Sequence, residues 1–484
     1  MMRYLKKYRL VCGLLSAAYL QNGWTVDILE AYQQAVISDP QLRAAAADRQ
    51  ANLEARPQAR ALLLPSIDAD ARVDRNFNID TNVPGVDSSL NTSDYSLSLT
   101  QPLFNQSNNV RVRQAESVIN QAEADFIAAQ QDLIVRVTER YFGVLSALAE
   151  LIFASSNKNA IARQLEQAKR RFEVGLITIT DVFEAQAQFD LATADEISAR
   201  NQVADAVEAL REVTGESYQE ISDLSEEAPL DKPDPADPEQ WVRLALDNNP
   251  QLLSTAFGVE VSRENINLQK AGHYPRVDLI ASYSDRDTGI TETSDGVIGL
   301  QLNIPLYQGG AVVSRTREAA YQHESAKQNL EQLQRQILRQ VRDSYRGLET
   351  AISRVQAFDQ ARVSNRSSLE ATEAGFEVGT RTIVDVLDAQ RDLLSAERDY
   401  AQSRYDYIIN FLRLKQAGGN LESDDLENLN RWLTVNRDRQ EIELISIQPL
   451  ISTTETEQDV TEIMRELGIN EDPMLPSPAA GNGN

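Results

Sequence analysis

The chain is written twice, and that repetition limits its possible folds more than any other feature. The segment RFEVGLITITDVFEAQ at 171–186 aligns with GFEVGTRTIVDVLDAQ at 375–390, an offset of 204. The same offset pairs Tyr141 with Tyr345, Leu210 with Leu414 and Gly215 with Gly419. Upstream, Asp39-Pro40-Gln41-Leu42 aligns with Asn249-Pro250-Gln251-Leu252, and Pro65 with Pro275, at 210. Pro102-Leu103-Phe104 aligns with Pro305-Leu306-Tyr307 at 203, so most of the length difference falls in one loop. Two tandem copies of one structural unit are expected, over 24–225 and 241–420. A linker at 226–240, rich in Pro and Asp, joins them.

Each copy reads as helix, strand, strand, long helix, turn, helix. From Ile67 to Ile79 the apolar positions Ile67, Ala69, Ala71, Val73, Phe77 and Ile79 alternate with Asp68, Asp70, Arg72, Asp74, Asn76 and Asn78. Tyr95, Leu97 and Leu99 alternate with Ser96, Ser98 and Thr100. In the second copy Val277, Leu279, Ala281 and Tyr283 form one such set, and Ile298, Leu300, Leu302 and Ile304 another. A period of two marks a strand with one apolar face. The four strands are placed at about 65–80, 91–104, 275–285 and 296–307, each long enough to cross a bilayer when tilted. The loops between them, 81–91 and 285–296, are built of Gly, Asp, Asn and Ser, which favour turns. Pro65, Pro102, Pro275 and Pro305 mark the places where helix and strand meet, because proline lacks the N–H a helix interior needs.

The helices are long. No proline interrupts 103–228 or 306–448, and Leu133, Val137, Tyr141, Val144, Leu148 and Leu151 recur every three or four positions. A helix over 107–172 would run ~100 Å at ~1.5 Å per residue, while the return over 180–214 covers only ~50 Å. A first helix at 41–63 supplies ~35 Å more and is expected to stack end to end on the return helix. The second copy offers the same parts at 311–377, 382–417 and 251–272. Helices of this length cannot bury themselves in one compact domain and need coiled-coil-like neighbours. Nor can four strands close a barrel, since spanning barrels use about eight or more. Open edges are not tolerated in lipid, so other copies of the chain must complete the wall. Two copies would give eight strands, whose interior fills with side chains; three would give twelve and a wider lumen, and three are expected.

Charge and processing signals point to a secreted chain that is periplasmic, extracellular or a barrel. The formal net charge of −26 argues against nucleic acid, whose phosphates need Lys and Arg. A mean hydropathy of −0.40 excludes a polytopic helical membrane protein but not a barrel, whose strands are half apolar. Arg3, Lys6, Lys7 and Arg9 precede a short apolar run at 10–20, the pattern of an export signal at 1–23, cleaved after Ala18 or nearer Trp24. The single cysteine, Cys12, lies inside that signal with no small residue before it. The mature chain is therefore expected to have no disulfide, lipid anchor or thiolate metal site. The tail at 436–484, acidic and then rich in Pro, Ala, Gly and Asn, reads as disordered.

These residues resemble the outer membrane factor family, the trimeric outer-membrane channels of multidrug efflux and type I secretion. The likeness covers nearly all of the chain before the tail. It is carried by AYQQA at 31–35, by Arg171-Phe172 through Asp181-Val182, and by GTRTIVDVLDA at 379–389. It implies an α+β membrane protein in the outer membrane, with most of its mass in the periplasm. Three chains of four strands each would share a twelve-stranded β-barrel, continued by a long α-helical barrel. An equatorial belt would gather the linker and a C-terminal helix at 421–435. The implied role is a passive exit duct gated at its periplasmic end, not an enzyme, with no cofactor. The implied partners are a homotrimer, outer-membrane lipid, a periplasmic adaptor, and inner-membrane transporters of the RND, ABC or MFS types. The hairpin turns Val174-Gly175 and Val378-Gly379 would be the adaptor-docking points.

The turns themselves carry chemistry. Glycine supplies the left-handed conformation that ends a helix. Thr178-x-x-Asp181 and Thr382-x-x-Asp385 then read as capping boxes, which alone account for both aspartates. Asp388 follows Asp385 by three residues and shares its face. Brought to an axis by three chains, Asp385 and Asp388 would form a ring of carboxylates that favours cations and raises some of their own pKa values. The family resemblance places the periplasmic constriction on these two residues, although the first copy has acids at Asp181 and Glu184 too. Arg381 stands where the first copy has Ile177, and near Thr180 and Asp181 it offers charge-assisted bonds. The resemblance implies that Arg381, Thr180 and Asp181, with Gln164 and Glu373, latch the tunnel end closed. Phe376 departs from the family pattern of Tyr and has no hydroxyl to bond Asp181.

His273 and His323 are the only histidines, and neither has a partner at metal-ligand spacing. No nucleophile elbow, phosphate loop or dinucleotide fingerprint is present. Two rival readings are a periplasmic coiled-coil scaffold without a pore and a barrel enzyme of polysaccharide export. The first does not explain four strands of lipid length, and the second lacks catalytic groups.

Overall fold

The computed structural model describes residues 26–77, 89–218, 220–289 and 291–434. The expected signal at 1–23, the tail at 436–484 and most of the loop at 81–91 lie outside the described residues. Val26–Tyr218 and Leu224–Leu433 form one compact unit. Its element order recurs. Helices α1 (Ile28–Ser38), α2 (Pro40–Leu53) and α3 (Ala55–Ala61) lead into strands β1 (Ser66–Phe77) and β2 (Ser89–Asn105), then α4 (Gln106–Glu173) and α5 (Ile179–Thr214). Helices α6 (Pro238–Asn248) and α7 (Pro250–Lys270) lead into β3 (Arg276–Asp287) and β4 (Glu292–Asn303), then α8 (Ala311–Glu377) and α9 (Ile383–Gly418). A short α10 (Ser423–Asn430) follows.

The four strands form one antiparallel sheet in the order β1-β2-β3-β4. Because side chains alternate along a strand, register decides which residues share a face. Ile67, Leu99, Ala281 and Ile298 stand in one row across the sheet. Ile67 and Ile298 on that apolar face are 65 % and 82 % exposed. The opposite face carries the row Arg72, Asp94, Arg286 and Thr293, where the Arg286 Nε donates to Asp94 Oδ2 at 2.9 Å. Among the described residues no strand pairs with the outer edge of β1 or of β4.

Helix α4, 68 residues long, is the central member and spans about 100 Å. It packs on α5 along one side and on α7 and α9 along the other, and α8 closes the row against α7 and α9. That order puts α5 and α8 on opposite flanks. Leu133, Val137 and Val144 of α4, Val341 and Leu348 of α8, and Leu412 and Leu414 of α9 are fully buried between them. The rings of Phe142 and Tyr405 stack at 5.3 Å across α4 and α9.

Each return helix ends where a short helix begins. Gly215 and Gly419, with φ of +74° and +78°, cap α5 and α9. In the first copy the Ser38 hydroxyl donates to the carbonyl of Thr214. Asp39 caps α2 by accepting from the Gln41 N–H at 2.6 Å and pairs with Arg136 of α4. In the second copy Asn249 serves both ends, its Nδ2 donating to the Ala417 carbonyl at 3.1 Å and its Oδ1 accepting from the Leu252 N–H at 3.2 Å. One bond is common to both: the Tyr141 hydroxyl donates to the Val26 carbonyl at 3.2 Å, and the Tyr345 hydroxyl to the Ala236 carbonyl at 2.5 Å. Trp241 is buried in α6, with its Nε1 donating to the Pro235 carbonyl at 2.8 Å. A Cβ on Gly418 would lie 3.0 Å from the Trp241 ring, so the glycine makes room for the indole. The linker is also tied to α9 through the Tyr407 hydroxyl, which donates to the Asp231 carbonyl at 2.9 Å. Burial and the nearby Asp231 push that phenol up to about 12.

Several sequence expectations need correction. The first helix, expected unbroken over 41–63, is split at Glu54 into α2 and α3. Pro57 offers no N–H to the Leu53 carbonyl, and its ring crowds that oxygen. The equivalent α7, which has no such proline, is continuous for 21 residues. The helices α1 and α6 before each Pro-Gln-Leu were not expected at all. The loop at 285–296 is shorter than expected, since β3 runs to Asp287 and β4 starts at Glu292. Ser294 Oγ donates to Asp285 Oδ1 at 2.7 Å there, so residues read as turn formers are paired. β4 stops at Asn303, before Pro305, and α8 begins after Gly309 and Gly310, both at positive φ. In the first copy Pro102 instead sits within β2, beside a register shift, and Asn105 caps α4 directly. The C-terminal helix is confined to Ser423–Asn430 within the expected 421–435.

Candidate functional site

The far ends of the two hairpins are built alike. Gly175 and Gly379 take φ of +77° and +79°, values only glycine adopts without strain. The Leu176 N–H reaches back to the Arg171 carbonyl at 2.9 Å, and the Thr380 N–H to the Gly375 carbonyl at 2.8 Å. Both capping boxes form. Asp181 Oδ2 accepts from the Thr178 N–H at 2.7 Å and hydroxyl at 2.9 Å. Asp385 Oδ2 accepts from the Thr382 N–H at 2.7 Å and hydroxyl at 2.8 Å. The adaptor-docking candidates Val174 and Val378 project into solvent, 70 % and 75 % exposed.

The second turn has a cation beside its acid, Arg381 where the first has Ile177. The two hydrogen bonds from Thr382, backed by the charge of nearby Arg381, keep the Asp385 carboxyl below the usual carboxylate range. Within one chain Asp385 is thus favoured as the anion. Asp388, one turn on, is exposed, with Oδ1 3.3 Å from an Arg391 guanidinium nitrogen. Arg391 is not among the residues expected at this site, although the i, i+3 spacing of opposite charges signals the pair.

The latch residues are not brought together inside one chain. The Arg381 side chain lies over Gly375, where an added Cβ would meet its Cγ at 2.8 Å. Among the described residues Arg381 makes no ion pair, and no hydrogen bond joins it to Thr180 or Asp181. Nor does one join Gln164 to Glu373. The first turn is the more apolar of the two: Leu176, Ile179 and Phe183 are exposed around it, a feature the sequence reading did not single out. His323 Nδ1 lies 2.9 Å from Ser262 Oγ between α7 and α8, far in sequence from either turn.

Comparison with known proteins agrees with this architecture. Residues 31–216 and 241–420 each match the family described as outer membrane efflux protein. The outer membrane protein TolC of Vibrio cholerae serotype O1 is 39 % identical over 431 residues, covering 87 % of this chain and 96 % of that one. The alkaline protease secretion protein AprF of Pseudomonas aeruginosa is 30 % identical over 434 residues, covering 87 % and 90 %. The crystal structure of the outer membrane protein VceC from Vibrio cholerae superposes with a TM-score of 0.66 at 19 % identity, over 81 % of this chain and 96 % of that one.

Proposed function

The chain belongs to the outer membrane efflux protein family, and from that premise we propose that three copies close a twelve-stranded barrel in the outer membrane. The protein is an outer-membrane exit duct for efflux and type I secretion, and not an enzyme. The observation that carries the trimeric reading is the sheet: four strands, an exposed apolar face and two unpaired edges. Exposed apolar area of that kind needs lipid or a partner, and the edges need strands. The row of charge on the other face suits a water-filled lumen, which the hairpins extend by about 100 Å into the periplasm. In outer-membrane fractions the protein should run as a trimer in unheated detergent gels and conduct ions in planar bilayers. A soluble monomer that never enters lipid would overturn this.

The hairpin ends form the gate. Asp385 and Asp388 of three chains ring the lumen there. Because α5 and α8 lie on opposite flanks of one chain, Arg381 of one copy reaches Thr180 and Asp181 of the next. Gln164 and Glu373 add a second link. Phe376 contributes no hydroxyl, so the latch leans on Arg381. Arg381→Ser should raise single-channel conductance clearly over wild type, and an unchanged value would reject the latch. The exposed turns at Val174-Gly175 and Val378-Gly379 dock a periplasmic adaptor, which couples the duct to an inner-membrane transporter of the RND, ABC or MFS type. Residues 1–23 are removed on export.

A further inference from the structure

The start of α9 carries one cation among its acids. Asp385, Asp388 and Asp392 fall within about 60° of one another at 3.6 residues per turn, on the side away from the buried Leu387. Arg391 bridges two of them, with guanidinium nitrogens 3.3 Å from Asp388 Oδ1 and 3.4 Å from Asp392 Oδ1. All three side chains are about half exposed, so the bridge faces water. The equivalent stretch of α5 has Asp181 and Glu184 followed by Ala187 and Gln188, with no cation. An exposed pair at this spacing contributes little to stability, so its effect is on the local field.

We propose that Arg391 sets the charge selectivity of the constriction. The inference rests on the reading that Asp385 and Asp388 line the lumen. Its guanidinium offsets the field of Asp388 and Asp392 and keeps Asp388 from facing the pathway as a bare anion. Within α9 each chain then presents three acids and one fixed counter-charge at the entrance, Arg381 being engaged by the neighbouring copy. The duct stays cation-preferring but holds cations less tightly, so positively charged cargo is drawn in and still released. Removing three unit charges, one per chain and each about a Debye length (~8 Å) from the lumen axis in a water-like dielectric, should change local cation concentration roughly threefold.

The test is the reversal potential of the trimer in planar bilayers under a KCl gradient. Arg391→Gln should raise the permeability ratio of K⁺ over Cl⁻ roughly threefold, while Arg391→Lys stays near wild type and Asp388→Asn lowers the ratio. An unchanged ratio in Arg391→Gln, alongside a lowered one in Asp388→Asn, would overturn the role of Arg391 and leave the constriction in place. Unchanged ratios in both Asp385→Asn and Asp388→Asn would remove the constriction from this site, and the inference with it.

Discussion

The two joints where a return helix meets a short helix solve one problem with different side chains. At the first, Ser38 and Asp39 divide the work, with Arg136 behind the acid. At the second, Asn249 alone caps both helices, and Gln340 stands where Arg136 does. Volume is exchanged as well. The first copy places Ala31 and Thr214 at the positions where the second has Trp241 and Gly418. What both copies keep is geometry: a left-handed glycine, a capped end and a tyrosine hydroxyl on a backbone carbonyl just before the short helix. The repeat thus specifies a joint, and the residues filling it drift in compensating pairs.

The largest test of that claim is the volume exchange. Trp241→Ala should cost about 3–5 kcal/mol by thermal or denaturant unfolding, as loss of a buried indole does. Gly418→Thr alone should also destabilise, by about 1–3 kcal/mol, since the new Cβ meets the ring. The double variant recreates the first copy's pair and should fall short of the summed losses by at least about 1 kcal/mol. Strict additivity would show that the two positions drifted independently. Next come the capping glycines. A Cβ on Gly419 would lie 2.6 Å from the Asn248 carbonyl carbon and oxygen, against 3.1 Å from the Ser38 side chain for Gly215. Backbone cannot yield, so Gly419→Ala should cost about 3 kcal/mol and Gly215→Ala about 1–2 kcal/mol, the ordinary penalty of positive φ. Equal losses would place the strain in φ alone.

Smaller is the effect of the acid at the first joint. Asp39→Asn imitates Asn249 but leaves Arg136 with only Asp132, so a loss of about 1–2 kcal/mol is expected. Rescue by Arg136→Gln would confirm that the partner, and not the cap, explains it. Smallest is a shift in pH dependence at the opposite end of the hairpins. Asp385 has a depressed folded pKa, so its stabilising contribution is present above the ordinary carboxylate range and is lost as pH falls through the lower folded value. Thr382→Ala removes one of its two donors. Cation selectivity should then fade at a higher pH on acidification, while Thr178→Ala, at the matching box of the first copy, leaves that midpoint unmoved.

Sequence reading reached the strands because one face of each is apolar and the other charged, a contrast that survives without knowledge of neighbours. It reached the long helices because no proline falls within the 68 residues of α4 or the 67 of α8. It failed at Pro57, where apolar spacing was followed past a residue that lacks a donor. It failed at α6, although Asp237 before Pro238 is a helix-start signal that could have been used. At the second hairpin turn, the capping role of Asp385 is legible from four residues. The direction of Arg381 is not, because its place over Gly375 depends on how the turn closes. The pairing of Arg391 with Asp388 is legible in principle, since opposite charges three residues apart on a helix are neighbours.

The end-to-end seating of α2 on α5, and of α7 on α9, has a mechanical corollary. A single rod opposite α4 would have to gain or lose residues in step with it, or shear every layer of packing between them. A column made of two segments has a seam, and the seam can open by a residue or two, filled by an amide, a hydroxyl or a proline. Growth or shrinkage of the long helices in related chains should therefore gather at that seam, leaving the side-chain packing above and below it undisturbed.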